Sequence, residues 1–375
     1  MILRLLAAVA LAVAARGEDL MVEGLPVPVE VSLPENHDPA KKWPAVFYYH
    51  GSGGRPSTKM IRQHAGAKDW IVVGMTYTFD GAFTQTPENL EKELVILRRV
   101  RDRLAKEQGL DPKRLYVSGF SQGGWVSGLF FQAERSLAGA VILGAGHMRE
   151  AAPKTAGFPP GTPLFVGVGR LDGNYPFALK ARLFYGKLGV AVNMETWQDL
   201  KHEFPTGGSP GLKEWFALRN GGKPDADAFE SEFAEIGKLQ PLDEWWKLLE
   251  FRERPSVTAP GQPWKESVAK RIVALEQDPA VAPEAKIFKQ HRQLLADEIN
   301  AKTLPELVKV NNAYVQLAQQ AGASPQAALV IVDAQRVAKL LEVNKDRAPP
   351  PEAPKPIAPP FPKQDRGIPR NPLVR

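Results

Sequence analysis

Two hydrophobic periods alternate along the first part of the chain. Between about residues 20 and 220, apolar runs bounded by Gly, Pro, Asn or Asp read as strands: VPVEVSLP, WPAVFYYH, WIVVGMTY, KRLYVSGF, GAVILGAG, TPLFVGVG and VAVNMETWQ. Several are apolar almost throughout, as strands covered on both faces are. Longer amphipathic stretches lie between them. NLEKELVILRRVRDRLAKEQ sets Leu90, Leu94, Leu97 and Val100 on one helical face, and GGWVSGLFFQAE and YPFALKARLFYGKLG read as two further helices. Strands separated by helices in this rhythm predict an α/β fold with a mainly parallel central sheet and helices on both faces.

After about residue 225 the strand signals thin out. WWKLLEF, ESVAKRIVALEQ, AKIFKQHRQLLADEINA, ELVKVNNAYVQLAQQAG and PQAALVIVDAQRVAKLLEVN all carry helical spacing. Gly221-Gly222-Lys223-Pro224 marks the expected boundary, so the chain divides into an α/β domain over 20–222 and an all-helical region over 225–345. The neighbours Trp245 and Trp246 are expected to pack within the helical part. Residues 347–375 are Pro-rich (APPPEAPKPIAPPFPKQ), cannot build a core, and are expected to form an extended, disordered tail.

The stretch GFSQGG follows the apolar run RLYVS. Gly119 and Gly123 flank Ser121 at two residues on either side, the spacing of a strand–serine–helix turn too tight for bulky neighbours. A second match to the same spacing, GGSPG around Ser209, is not preceded by a strand run. There Pro210 occupies the place of the residue whose N–H must bind an oxyanion, so Ser209 reads as a loop serine. A serine hydroxyl is a weak nucleophile and needs a base, which in turn needs an orienting acid. On sheets of this kind the chain order is Ser, acid, His. His202 in DLKHEFP follows a strand run and is the expected base, whereas His291 falls in a helix of the second region. Asp172 lies just past the strand TPLFVGVG and is the expected acid. Asp199 and Glu203 are rivals, but lie too close to His202 in sequence to need a separate strand.

An acyl-transfer intermediate carries an oxyanion, and backbone N–H groups are its usual donors. The glycine-rich run after WPAVFYY, His50-Gly51-Ser52-Gly53-Gly54, offers them: the N–H groups of Ser52 and Gln122 form the expected pair, with His50 and Gly51 shaping the pocket. Asp80 and His147, each after a strand, are further pocket candidates. A phosphate cradle is the competing reading of the glycines, but neither G-K-[ST] nor G-x-G-x-x-G occurs there. Metal chemistry fares poorly: His202-Glu203 lacks a second histidine at H-E-x-x-H spacing, His37 and His64 are isolated, and the chain has no cysteine. No cofactor and no metal are expected.

Composition adds limits. Among 375 residues, 43% hydrophobic and 24% charged are ordinary globular values, and a net charge of +6 with basic residues scattered among acids argues against a nucleic-acid partner. The start, MILRLLAAVALAVAARGEDL, places Arg4 before an apolar stretch and small residues at Ala12-Val13-Ala14, a signal-peptide pattern over 1–15 with an uncleaved anchor as the alternative. With no second hydrophobic span and no cysteine, the expectation is an exported protein, periplasmic or extracellular in a bacterium, without a stable membrane span after cleavage.

In these residues the chain resembles an α/β-hydrolase. GFSQGG resembles the serine turn of the phospholipase/carboxylesterase group, HGSGG resembles that group's oxyanion loop, and DPKRLYVSGFSQGG is similar to secreted feruloyl-esterase and polyhydroxyalkanoate-depolymerase-like esterases. The resemblance covers roughly residues 25 to 220. It implies a Ser121–Asp172–His202 triad and hydrolysis of a small-molecule or polymer-borne ester through an acyl-enzyme, and says nothing of the helical region. GNYPF, after Asp172, departs from that group's usual sequence and leaves the acyl or alcohol pocket open. Two other readings stand beside it. One is a peptidase on the same fold. The other is an inactive hydrolase-fold scaffold, whose helical region and tail engage a protein or envelope partner.

Overall fold

The computed structural model describes residues 18–78, 86–147 and 157–345. The expected leader, Asp80 and the Pro-rich tail lie outside the described residues. In chain order the elements are β1 (Glu18–Leu20), β2 (Val29–Ser32), β3 (Trp43–Tyr49), α1 (Lys59–Ala65), β4 (Ile71–Met75), α2 (Pro87–Glu107), β5 (Leu110–Phe120), α3 (Gln122–Ala133), β6 (Gly139–Leu143), β7 (Pro163–Gly169), α4 (Tyr175–Lys187), β8 (Ala191–Trp197) and α5 (Pro210–Arg219). Seven helices follow: α6 (Ala226–Ile236), α7 (Pro241–Phe251), α8 (Pro255–Thr258), α9 (Trp264–Leu275), α10 (Ala282–Asn300), α11 (Leu304–Ala321) and α12 (Pro325–Asn344).

The strands form one sheet of eight in the order β1-β2-β4-β3-β5-β6-β7-β8. β2 runs antiparallel to both β1 and β4, and every pairing from β4 through β3 to β8 is parallel. Burial explains why the strands were legible as apolar runs: all of β4 and β6, and β3 and β7 after their first residue, are buried. The chain steps from β3 through α1 to β4, then returns through α2 past β3 to β5. The order therefore reverses between β3 and β5, and the loops leaving their carboxyl ends diverge there. Such a switch point opens a crevice at the end of the sheet.

Helix α2 shows how sequence becomes layer. The Thr86 side chain accepts the Asn89 N–H and caps the first turn, Pro87 follows at a position where its missing N–H costs nothing, and Leu90, Leu94, Leu97, Val100 and Leu104 are buried along one face. They join the larger of two sheet cores, with Phe47, Val117 and Val166. The opposite face of the sheet holds Trp70, Tyr116, Trp215 and Phe216, so α1 and α5 cover it.

The helical region has two cores of its own. Trp245, Leu248, Val268 and Ile272 center one, and Tyr314, Leu317, Val330 and Val337 the other. Trp245 is fully buried, and both Trp245 and Trp246 meet Phe288 edge-on. Helix α10 faces two ways: Leu294 packs on the α11–α12 core, while Leu295 belongs to the large sheet core and Ile299 packs against it. Ion pairs reinforce this junction. Arg170, just past β7, donates to Asp333 of α12 at 2.7 Å, and both side chains are almost wholly buried.

Candidate active site

Ser121 sits between β5 and α3 with φ 56° and ψ −117°, and it is the one non-glycine with positive φ among the described residues. Such a backbone is strained for a residue with a Cβ and persists only where its surroundings enforce it. The glycines show how. A Cβ on Gly119 would lie 2.3 Å from the Gly123 carbonyl carbon, and one on Gly123 would lie 1.9 Å from the Tyr49 oxygen. Helix α3 can thus start hard against β3 and β5 only if both positions lack side chains. The turn lifts Ser121 to the crevice, half-buried, at the first residue beyond a fully parallel strand.

Three side chains from three strand ends converge there. Ser121 Oγ–H donates to His202 Nε2 at 2.8 Å, and His202 Nδ1–H donates to Asp172 Oδ2 at 2.7 Å. The shared proton positions follow from roles: an imidazole bonded to a carboxylate through Nδ1 presents an unprotonated Nε2 to the hydroxyl. Asp172 is buried, whereas the His202 side chain is 43% exposed and so reachable from solvent. Its ring also lies 5.2 Å from that of Phe120. Asp199 and Glu203, the rival acids, are exposed.

The His50–Gly54 loop leaves β3 beside this turn, because Tyr49 and Gly119 are register partners. A Cβ built on Gly51 would be 3.4 Å from Ser121 Cβ and 4.0 Å from its Oγ, so Gly51 closes directly on the serine. Ser52 Oγ–H donates to Gln122 Oε1 at 2.7 Å, which joins the two segments carrying the expected oxyanion donors. Gln122 is the first residue of α3, so its N–H has no intrahelical acceptor. His50 is a buttress: its Nδ1–H donates to the Gly51 oxygen at 2.8 Å, its ring meets Tyr77 edge-on, and the Tyr77 hydroxyl donates to the His50 oxygen at 2.7 Å.

Other candidates fall elsewhere. His147 is buried and stacked on Phe184 with ring centroids 3.8 Å apart, and burial brings its pKa down to about 4. It is a neutral packing residue that makes no hydrogen bond to Ser121, Asp172 or His202. His291 is fully buried in the helical region, with Nε2 2.7 Å from Asp333 Oδ2 and no hydrogen bond to a serine among the described residues. Ser209 is more than a loop serine. It is the N-cap of α5, accepts the Leu212 N–H at 3.2 Å, donates its hydroxyl to half-buried Glu195, and gives its own N–H to His64 Nε2 at 3.0 Å. Among the described residues no group of three His, Asp or Glu is arranged to hold a metal ion.

Asn174 supports Asp172 in two ways. The Asn174 N–H donates to Asp172 Oδ1 at 2.8 Å, and the Asn174 side-chain amide donates to the Gly144 oxygen at 2.8 Å. Both oxygens of Asp172 are therefore held, and the loop is pinned to the end of β6. An Asp-x-Asn turn in LDGNYP was a visible signal for the first contact. Arg170 lies across the Tyr175 ring at 4.3 Å and ties the same loop to α12.

No protein-family model and no curated protein sequence matches the chain. It is similar to solved structures that include a carboxylesterase of Bacillus cereus, at 18% identity and TM-score 0.42, covering 51% of this chain and 93% of that one. A phospholipase/carboxylesterase of Dyadobacter fermentans gives 16% identity and TM-score 0.39 over 51% of this chain and 93% of that one. A carboxylesterase of Mesorhizobium loti gives 19% and 0.44 over 53% and 98%. By its own strand order, its reversed crossover at β3 and β5, and the serine turn at the switch point, the chain has the α/β-hydrolase fold.

Proposed function

We propose that the chain is an exported serine hydrolase that cleaves carboxylic esters through an acyl-enzyme. The observation that carries this reading is the continuous hydrogen-bonded relay from Ser121 through His202 to buried Asp172, opening at the sheet's switch point. Ser121 Oγ attacks the ester carbonyl carbon while its proton passes to His202 Nε2. The former carbonyl oxygen, now an oxyanion, takes hydrogen bonds from the Ser52 and Gln122 N–H groups. Asp172 holds the imidazole in the required tautomer and stabilises the imidazolium. As the tetrahedral intermediate collapses, His202 returns the proton to the departing alkoxide, and an alcohol leaves. Water then attacks the acyl-serine with His202 as base, releasing the acid and restoring the Ser121 hydroxyl.

Aryl and alkyl esters of increasing acyl length, assayed beside matched amides on the wild type and Ser121→Ala, test the reading. Ester turnover that disappears in the variant and exceeds amide turnover is expected. Faster amide cleavage would move the protein to the peptidases, and no serine-dependent turnover on either series would favour a scaffold. Sequencing the mature N-terminus from fractionated cells tests export: cleavage near Ala14 is expected, and an intact Met1 in the cytosolic fraction would remove that part of the proposal.

A further inference from the structure

A cavity of about 450 Å³ lies along the outer strand of the sheet. Residues of β8, α4, α7, α10 and α12 line it, and Ser121, Asp172 and His202 do not. Its size falls within the roughly 300–1,000 Å³ range of small-molecule sites. Part of the lining is apolar, supplied by Leu179, Met194, Phe288 and Leu295 among others. The rest is charged, and most of that charge is internally matched. Arg170 pairs with Asp333, Lys247 with Glu250, and Arg254 with Glu214 and Glu232, while Glu195 takes the Ser209 hydroxyl.

One stretch of the wall is not matched. Arg182 and Arg252 share a single carboxylate, Glu253, at 3.0 and 3.2 Å. Arg292 of α10, in the same lining, has neither an ion pair nor a hydrogen bond among the described residues. Arg182 and Arg252 therefore share one carboxylate, and Arg292, whose charge acts on Arg252, brings none of its own. The Arg182 and Arg252 side chains are 34% and 36% exposed, so an anion entering from solvent can reach them. Burial, with the charges of Arg182 and Arg292 adding to it, holds the Arg252 guanidinium below its ordinary range. A solvated arginine cluster is the plain alternative, but it leaves without a role the apolar part of the lining and the buried Trp246 N–H, which has no acceptor among the described residues.

We propose that this cavity is a second ligand site, which binds an organic carboxylate with an apolar body. Its anionic end meets Arg252 and Arg292, and its body meets Phe288, Met194 and Leu295. The assignment goes beyond ester hydrolysis and does not depend on it.

Titration of octanoate into the full-length protein, followed by calorimetry and by the change in intrinsic tryptophan fluorescence, to which Trp246 in the lining contributes, tests the site without reading any hydrolysis. Saturable binding of one octanoate per chain is expected. Arg252→Gln with Arg292→Gln should weaken it roughly tenfold or more, the loss of charge-assisted hydrogen bonds. Should those variants not fold, the unaltered chain still decides: the dissociation constant should rise several-fold between about 0.01 M and 1 M salt, as charge recognition requires. Absence of saturable binding, binding that survives the double substitution, or a salt-independent dissociation constant overturns the proposal. Inorganic phosphate binding as tightly as octanoate also overturns it, because the apolar lining would then contribute nothing.

Discussion

At the scale of single residues, the proposed chemistry rests on atoms whose neighbours are now defined. Asp172→Asn is nearly isosteric, and Asn174 would still hold one of its side-chain atoms. The fold should survive, yet kcat on an ester should fall by about 10⁴, because an amide presented to Nδ1 favours the wrong imidazole tautomer. Asp199→Asn, on an exposed side chain, should leave kcat within about twofold, the small effect expected of surface changes. The reverse ranking would move the acid to Asp199. His147 gives a stability prediction. Its pKa of about 4 in the fold lies below the roughly 6.5 of an unfolded histidine, so the unfolded chain binds more protons between those values. Stability is therefore undiminished above pH ~6.5 and falls as pH drops towards ~4. His147→Phe keeps a ring against Phe184 and should flatten that part of the Tm–pH curve. Some slope should remain, since burial also lowers the pKa of His64. An unchanged slope would mean that His147 takes up no proton on unfolding. Ser121 was legible because its signal is local, two glycines at fixed offsets. Asp172 and His202 were legible as residues at strand ends in a fixed chain order. The hold of Asn174 on Gly144 was not, because it spans two loops that only the folded sheet brings together.

At the scale of elements, the buried parallel strands were the easiest to read, since burial on both faces leaves an apolar run in the sequence. The missed elements lack that mark. β1 is three residues long and exists through its pairing with β2. α5 has weak apolar periodicity in the sequence, although both it and α6 carry N-cap signals, Ser209 before Pro210 and Asp225 before Ala226. In α5 the glycine-rich lead-in masks the cap. The capping role of Ser209 sets what Ser209→Ala should do. The hydroxyl caps α5 and is the partner of a half-buried carboxylate, so its removal should cost about 1 kcal/mol for the cap and more for Glu195, left with fewer donors. The measurement is a lowered Tm with kcat unchanged at temperatures where the variant is folded. A loss of kcat without a loss of Tm would give Ser209 a chemical role instead.

At the scale of the whole molecule, the sequence predicted helices after residue 225 but left open what their apolar faces cover. Helical periodicity identifies a buried face without naming its partner. The structure divides that partnership along one helix, with Leu295 and Ile299 on the sheet core and Leu294 on the α11–α12 core. The Arg170–Asp333 pair adds a cost to separating the two parts, because removing one member of a buried ion pair typically destabilises by about 3–5 kcal/mol. A chain ending at Asn220 keeps the relay but bares the surface under Leu295 and strands Arg170. It should be less soluble and melt lower than a chain ending at Lys345, which should match the full-length protein in Tm and ester turnover. Equal solubility and Tm for the two truncations would show that the sheet does not need its helical cover.

The most direct test of the central claim is covalent labelling of the intact protein with a fluorophosphonate, followed by peptide mapping by mass spectrometry. The proposed mechanism predicts one adduct per chain, on the peptide containing Ser121, with ester hydrolysis lost in proportion to labelling and no adduct in Ser121→Ala. Labelling that persists in Ser121→Ala, or hydrolysis that continues after Ser121 is fully modified, would contradict it.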